Sequence, residues 1–98
     1  MKRMSILYDI SSTKRRNRLV KILEQYGERV QLSVFEFRLT KARHVELMQT
    51  LKNEEFLMDE HPDYPNDKLT IYYHEDTGET IERYGETPTA DKDNLFYM

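Results

Sequence analysis

The chain has 98 residues and no cysteine. That excludes disulfides, zinc–thiolate centres and thiol nucleophiles, and it fits a reducing cytoplasm. No apolar run approaches the roughly 20 residues that span a bilayer, and no charged-then-apolar leader opens the chain, so neither a membrane role nor a targeting signal is expected. Hydrophobic residues are also scarce, at 38% against 34% charged residues. One small domain with one core and much surface follows, a balance that self-association would improve.

The formal net charge of −3 hides a strong segregation. Residues 1–49 carry 11 Lys and Arg against 5 Asp and Glu, whereas residues 50–98 carry 4 against 13. A cationic face able to meet nucleic acid is compatible with an acidic chain, as is a fold whose halves neutralise each other.

The stretch Met4-Ser5-Ile6-Leu7-Tyr8-Asp9 reads as a strand that carries an acidic residue to its carboxyl end and breaks at Ser11-Ser12-Thr13. Alternation puts Met4, Ile6 and Tyr8 on one face and Ser5, Leu7 and Asp9 on the other. Lys14, Arg15, Arg16 and Arg18 follow at once, so a carboxylate and a cationic surface meet, which suits a metal ion and a phosphate. The same aspartate could instead bond backbone amides at the strand–helix junction. A hard divalent cation needs further oxygen ligands. No nearby motif offers one, so the simplest source is Asp9 of a twofold-related chain.

Ser11, Ser12 and Thr13 are candidate caps of a first helix whose stripe is Leu19, Ile22, Leu23 and Tyr26 and which Gly27 stops. Its basic residues, Arg15 included, are expected to face solvent or a ligand. From Glu28 to Leu39 the alternation changes phase, with Val30, Leu32 and Val34 on one face and then Phe35, Phe37 and Leu39 on the other. A bulge or reversal near 33–35, joining two short paired strands, is implied. Thr40 caps a second helix with the stripe Val45, Leu47, Met48 and Leu51, and leaves His44 on the surface. The acidic, proline-bearing segment 59–67 reads as a solvated loop. Residues 68–74 form a strand with Leu69, Ile71 and Tyr73 on one face, Asp76-Thr77-Gly78 a turn, and 80–84 a further strand. The apolar end Leu95-Phe96-Tyr97-Met98 suits docking on the chain itself or adding an edge strand to a partner.

This order predicts an α+β, ferredoxin-like βαββαβ sandwich, an antiparallel sheet with two helices on one face plus an extra carboxyl-terminal strand or strands. The whole chain is taken as one domain, with 1–84 as its core and 85–98 as an extension for dimer or partner contacts.

Tyr8-Asp9-Ile10, Arg16-Asn17-Arg18, Tyr26-Gly27 and the run from Arg29 to Glu36, which contains Ser33-Val34-Phe35-Glu36, together resemble the CRISPR-associated Cas-two family. The resemblance runs through residues 4–52. It implies a homodimer whose two Asp9 residues share one Mg²⁺ or Mn²⁺ across the twofold axis. It further implies metal-dependent endonuclease activity on RNA or double-stranded DNA, and a role in spacer acquisition, bridging dimers of the Cas-one integrase. Carried over by position, Asp9 is the metal ligand and, with Tyr8, catalytic, while Arg16, Arg18, Arg29 and Phe35 serve nucleic-acid binding. The acidic 59–67 loop and the 75–98 extension depart from the commoner family ending. Two other readings use the same fold, a free-standing ribonuclease of the toxin type and a non-catalytic RNA-binding module with Tyr72 and Tyr73 as stacking candidates.

Overall fold

In the computed structural model, which describes residues 1–75 and 78–85, the elements are β1 (Lys2–Asp9), α1 (Thr13–Glu24), β2 (Glu28–Gln31), β3 (Val34–Leu39), α2 (Lys41–Asn53), β4 (Lys68–Glu75) and β5 (Gly78–Tyr84). They form one antiparallel sheet in the order β2-β3-β1-β4-β5. This is the expected ferredoxin-like sheet with β5 added outside β4, and β1 is its middle strand. The expectations for Asp76, Thr77 and residues 86–98, including the apolar end 95–98, lie outside the described residues.

Alternation decides which face is buried. Met4, Ile6 and Tyr8 of β1, Phe35, Phe37 and Leu39 of β3, and Leu69, Ile71 and Tyr73 of β4 form one core with Leu19, Ile22 and Leu23 of α1 and Leu47 and Leu51 of α2. Both helices therefore cover one face. The other face carries Arg3, Ser5, Leu7 and Asp9, the register neighbours Val34, Glu36 and Arg38, and Lys68, Thr70, Tyr72 and His74. We call it the open face.

The hairpin reverses at Leu32 and Ser33, between β2 and β3, and the register slips between Arg29 and Gln31. Both features answer the phase change in the sequence. Ser12 caps α1, its side chain accepting from the Arg15 amide, and Thr40 caps α2 in the same way through Arg43.

Expectations are corrected in three parts of the chain. First, Gly27 does not stop α1, which ends at Glu24 with Gln25 as its cap. A Cβ at Gly27 would lie 2.4 Å from the Glu36 carbonyl oxygen and from the Phe37 ring, so glycine is required there by close packing of the β2–β3 ladder. Second, Val45 is exposed at 57%, while Leu47 and Leu51 are fully buried and Met48 packs at the margin. His44, expected on the surface, is half-buried and bonds the Tyr73 hydroxyl through Nε2 at 3.0 Å. Third, segment 59–67 is anchored at His61 and Asp67. The His61 ring is buried, its Nδ1 accepting from the Asp63 amide and its Nε2 bonding Glu55 at 3.0 Å.

Candidate nucleic-acid and metal site

Asp9 ends the middle strand, and the pleat turns its carboxylate to the open face while Tyr8 is buried on the other side. Its register partner is Lys68 of β4. Among the described residues the Asp9 carboxylate makes no hydrogen bond or ion pair, so it is not spent on capping α1. Ser12 does that work. No group of three or more metal-ligating side chains occurs among the described residues. One unencumbered carboxylate does fit Mg²⁺, which binds through one or two carboxylates and keeps waters or takes phosphate oxygens for the rest.

The structure brings Tyr8, Arg29 and Phe35 together on the helix-side face at the same end of the sheet. The Tyr8 hydroxyl donates to the Leu32 carbonyl oxygen at 3.0 Å and accepts from Arg29 Nη2 at 3.2 Å. Arg29 Nε donates to that same carbonyl at 3.1 Å, and the guanidinium lies 5.8 Å from the Phe35 ring centre. Phe35 is fully buried and presents no surface to a ligand, so its contribution is the floor beneath Arg29. Arg16 is half-buried, donating to the Ile10 carbonyl at 2.9 Å and to Thr13 Oγ1 at 3.3 Å. Arg18 stands apart, exposed and paired with Glu54 of the α2 C-cap at 3.3 Å.

Arg15 was expected on the solvent face with its basic neighbours, and it is buried instead. Its Nε donates to Asp67 Oδ2 at 3.1 Å, with the two side chains 9% and 8% exposed. Nη2 donates to the Glu55 carbonyl at 3.1 Å. The guanidinium is flanked by the Phe56 and Tyr64 rings, at 4.4 and 4.7 Å from their centres. Asp67 Oδ1 in turn accepts from the Ser11 amide at 3.3 Å and lies 3.4 Å from its hydroxyl. Asp67 thus holds the turn directly after Asp9, and Gly85 approaches so closely that a Cβ there would lie 1.9 Å from the Asp67 carbonyl oxygen. Sequence reading missed this pair because its partners are 52 residues apart and each looks like a member of a solvated charge run.

A second polar cluster joins α2 to the β4–β5 edge. Tyr73, bonded by His44, lies 3.4 Å from Glu82 Oε1, and the Tyr84 hydroxyl donates to the same oxygen at 3.3 Å. Burial, and then the Glu82 carboxylate, push both phenol pKa values up. Burial, and then the Lys2 ammonium, push the His44 imidazole down.

Comparison with known proteins shows what the chain as a whole is similar to. The family profile described as CRISPR associated protein Cas2 matches residues 1–79. A Chloroflexus aurantiacus protein named CRISPR-associated endoribonuclease Cas2 1 is 36% identical over 94 residues, 95% of each chain. A Synechocystis protein named CRISPR-associated endoribonuclease Cas2 3 is 47% identical over 47 residues, 48% of this chain and 51% of that protein, so here the chain spans about half the relative's length. A crystal structure of Streptococcus pyogenes Cas2 at pH 6.5 aligns with 98% of this chain and 96% of its own, at 20% identity and a TM-score of 0.50, a likeness of fold.

Proposed function

This chain belongs to the CRISPR-associated protein Cas2 family, and from that premise we propose that it is a homodimeric endonuclease subunit of a CRISPR system that cleaves RNA with a divalent cation held between two Asp9 carboxylates. The observation that carries this reading is Asp9 itself, an exposed carboxylate without a partner among the described residues, at the end of the middle strand. Two such groups brought together across a twofold axis repel unless a cation or proton lies between them. The two Asp9 carboxylates would hold Mg²⁺ or Mn²⁺, which would supply polarisation of a phosphodiester and a coordinated water of lowered pKa. The relatives' names, which call them endoribonucleases, support RNA as the substrate.

Each neighbouring residue has a defined part in this reading. Tyr8 has its hydroxyl engaged by Leu32 and Arg29, so it acts by positioning Arg29. Arg29 and Arg16 retain guanidinium N–H groups beyond those bonded within the chain, and these hold phosphate charge. No histidine lies beside Asp9 to act as a general base, and cleavage is therefore slow.

The dimer is supported by the open face. Leu7 and Ile81 are 36% and 38% exposed there, beside half-buried Val34 and Tyr72. The same dimer is proposed to serve spacer acquisition, binding double-stranded DNA and bridging the Cas-one integrase in the cytoplasm. No helix among the described residues is long and apolar enough to cross a membrane.

The test is Asp9→Asn, assayed on single-stranded RNA with magnesium and with chelator. Cleavage should be lost, by about a hundredfold or more, while sedimentation still shows the dimer, because two facing charges have been removed. A variant that cleaves as fast as the parent would overturn the assignment.

A further inference from the structure

The arginines that sequence reading selects for phosphate are largely engaged within the chain: Arg16 with Ile10 and Thr13, Arg18 with Glu54, Arg29 with Tyr8 and Leu32. At the other pole of the sheet the situation is reversed. Lys2 and Arg3 of β1 and Lys41, the first residue of α2, border a concavity of about 670 Å³, together with His44, Val45, His74 and Glu75. Among the described residues none of these three cations has an ion-pair partner.

Crowding makes this arrangement costly for the isolated chain. Arg3 sits in register with Arg38 on one neighbouring strand and with His74 on the other. Like charges directly opposed across a sheet destabilise it. Lys2 is close enough to disfavour protonation of His44. Among the described residues Glu75 is the carboxylate on the rim, Glu79 is paired with His74 at 3.0 Å, and the Lys2 ammonium lies over the Tyr73 ring at 5.3 Å. A concavity that the described residues leave with an excess of positive charge is relieved by a bound polyanion.

We infer that the groove bordered by Lys2, Arg3 and Lys41 is a second nucleic-acid contact, binding the phosphodiester backbone at the pole opposite Asp9. This rests on the nuclease reading only in taking nucleic acid as the ligand. Lys2 and Asp9 lie seven residues apart on one strand, about 23 Å at 3.3 Å per residue, so the groove is separate from the cleavage end and acts by holding the strand beyond it. Exposed Val45 gives the groove an apolar wall against which sugars can rest.

The experiment is fluorescence anisotropy of a labelled single-stranded RNA, with salt titrated, for the parent, for Lys2→Gln/Arg3→Gln/Lys41→Gln and for Asp9→Asn. Each single-strand phosphate contact contributes about 0.7 to the slope of log K against log salt. The triple variant should lose about 2 from that slope and bind at least tenfold more weakly near 0.1 M salt, while Asp9→Asn binds like the parent. An unchanged slope, or a parent that binds no RNA, overturns the groove. Should the triple variant fail to fold, amide shifts of the parent titrated with the same RNA decide: movement at Lys2, Arg3, Lys41 and Val45 supports the contact, and stillness there overturns it. An Asp9→Asn variant that cleaves as fast as the parent, with the slope change of the triple variant intact, would count against the nuclease reading alone.

Discussion

Arg15 and Asp67 show most plainly how one buried charge pair disciplines this small protein. Two ions taken out of water cost several kcal/mol each unless attraction and hydrogen bonds offset the loss. Here Arg15 has two ring faces, a carboxylate and the Glu55 carbonyl, and Asp67 has the Ser11 amide besides Arg15. Removing one partner strands the other, so Asp67→Ala should cost about 3 kcal/mol in urea unfolding. The double change Arg15→Met with Asp67→Leu should cost less than that single change, because no charge is left behind. A double variant less stable than Asp67→Ala would show that the pair contributes beyond satisfying itself. Because Asp67 holds Ser11, the single variant should also disturb the turn after Asp9 and lower the proposed RNA cleavage more than stability alone explains.

At the scale of elements, α2 is joined to the β4–β5 edge through the His44, Tyr73, Glu82 and Tyr84 cluster, and this junction titrates. A phenol whose folded pKa is raised above the ordinary value near 10 stabilises the fold fully below that pH. The contribution is lost as pH rises above about 10, because the unfolded chain releases its protons first. His44 works at the other end. Its folded pKa is lowered, so its contribution is present above about 6.5 and is lost as pH falls below it. Melting curves should therefore fall on both flanks, and Tyr73→Phe should flatten the alkaline flank while leaving the acid one. An alkaline slope unaltered by Tyr73→Phe would assign the titration elsewhere. The β2–β3 hairpin is a different kind of junction, set by sterics. Gly27 has no room for a methyl group beside Glu36 and Phe37.

For the whole molecule, the sheet divides the chemistry. One face is sealed by α1 and α2, and the other keeps Leu7 and Ile81 outward at 36% and 38%, with Asp9 exposed beside them. A proposed twofold partner would cover the apolar middle of that face. Leu7→Glu combined with Ile81→Glu should yield a monomer in sedimentation velocity, with cleavage falling in parallel because Asp9 loses its counterpart. A dimer that survives both substitutions would place the interface on another surface.

What the sequence by itself determined is whatever depends on local periodicity: the strand that ends in Asp9, the phase change that makes the β2–β3 hairpin, a cap among Ser11, Ser12 and Thr13, the cap Thr40, and the alternation of Leu69, Ile71 and Tyr73. From these the ferredoxin-like order was legible, and so was Asp9 as a carboxylate at a strand end. The tertiary structure alone decided what long-range contact controls. It buried Arg15 against Asp67, made Gly27 a packing residue, left Val45 outside the core and half-buried His44 against Tyr73. It also engaged Arg16, Arg18 and Arg29 in part within the chain, while Lys2, Arg3 and Lys41 border one groove without an ion-pair partner among the described residues. The physical reason is common to all of these. Hydrophobic period specifies which face of an element is buried, whereas a charge or a small residue takes its role from the partner that folding brings to it, and that partner is distant in sequence.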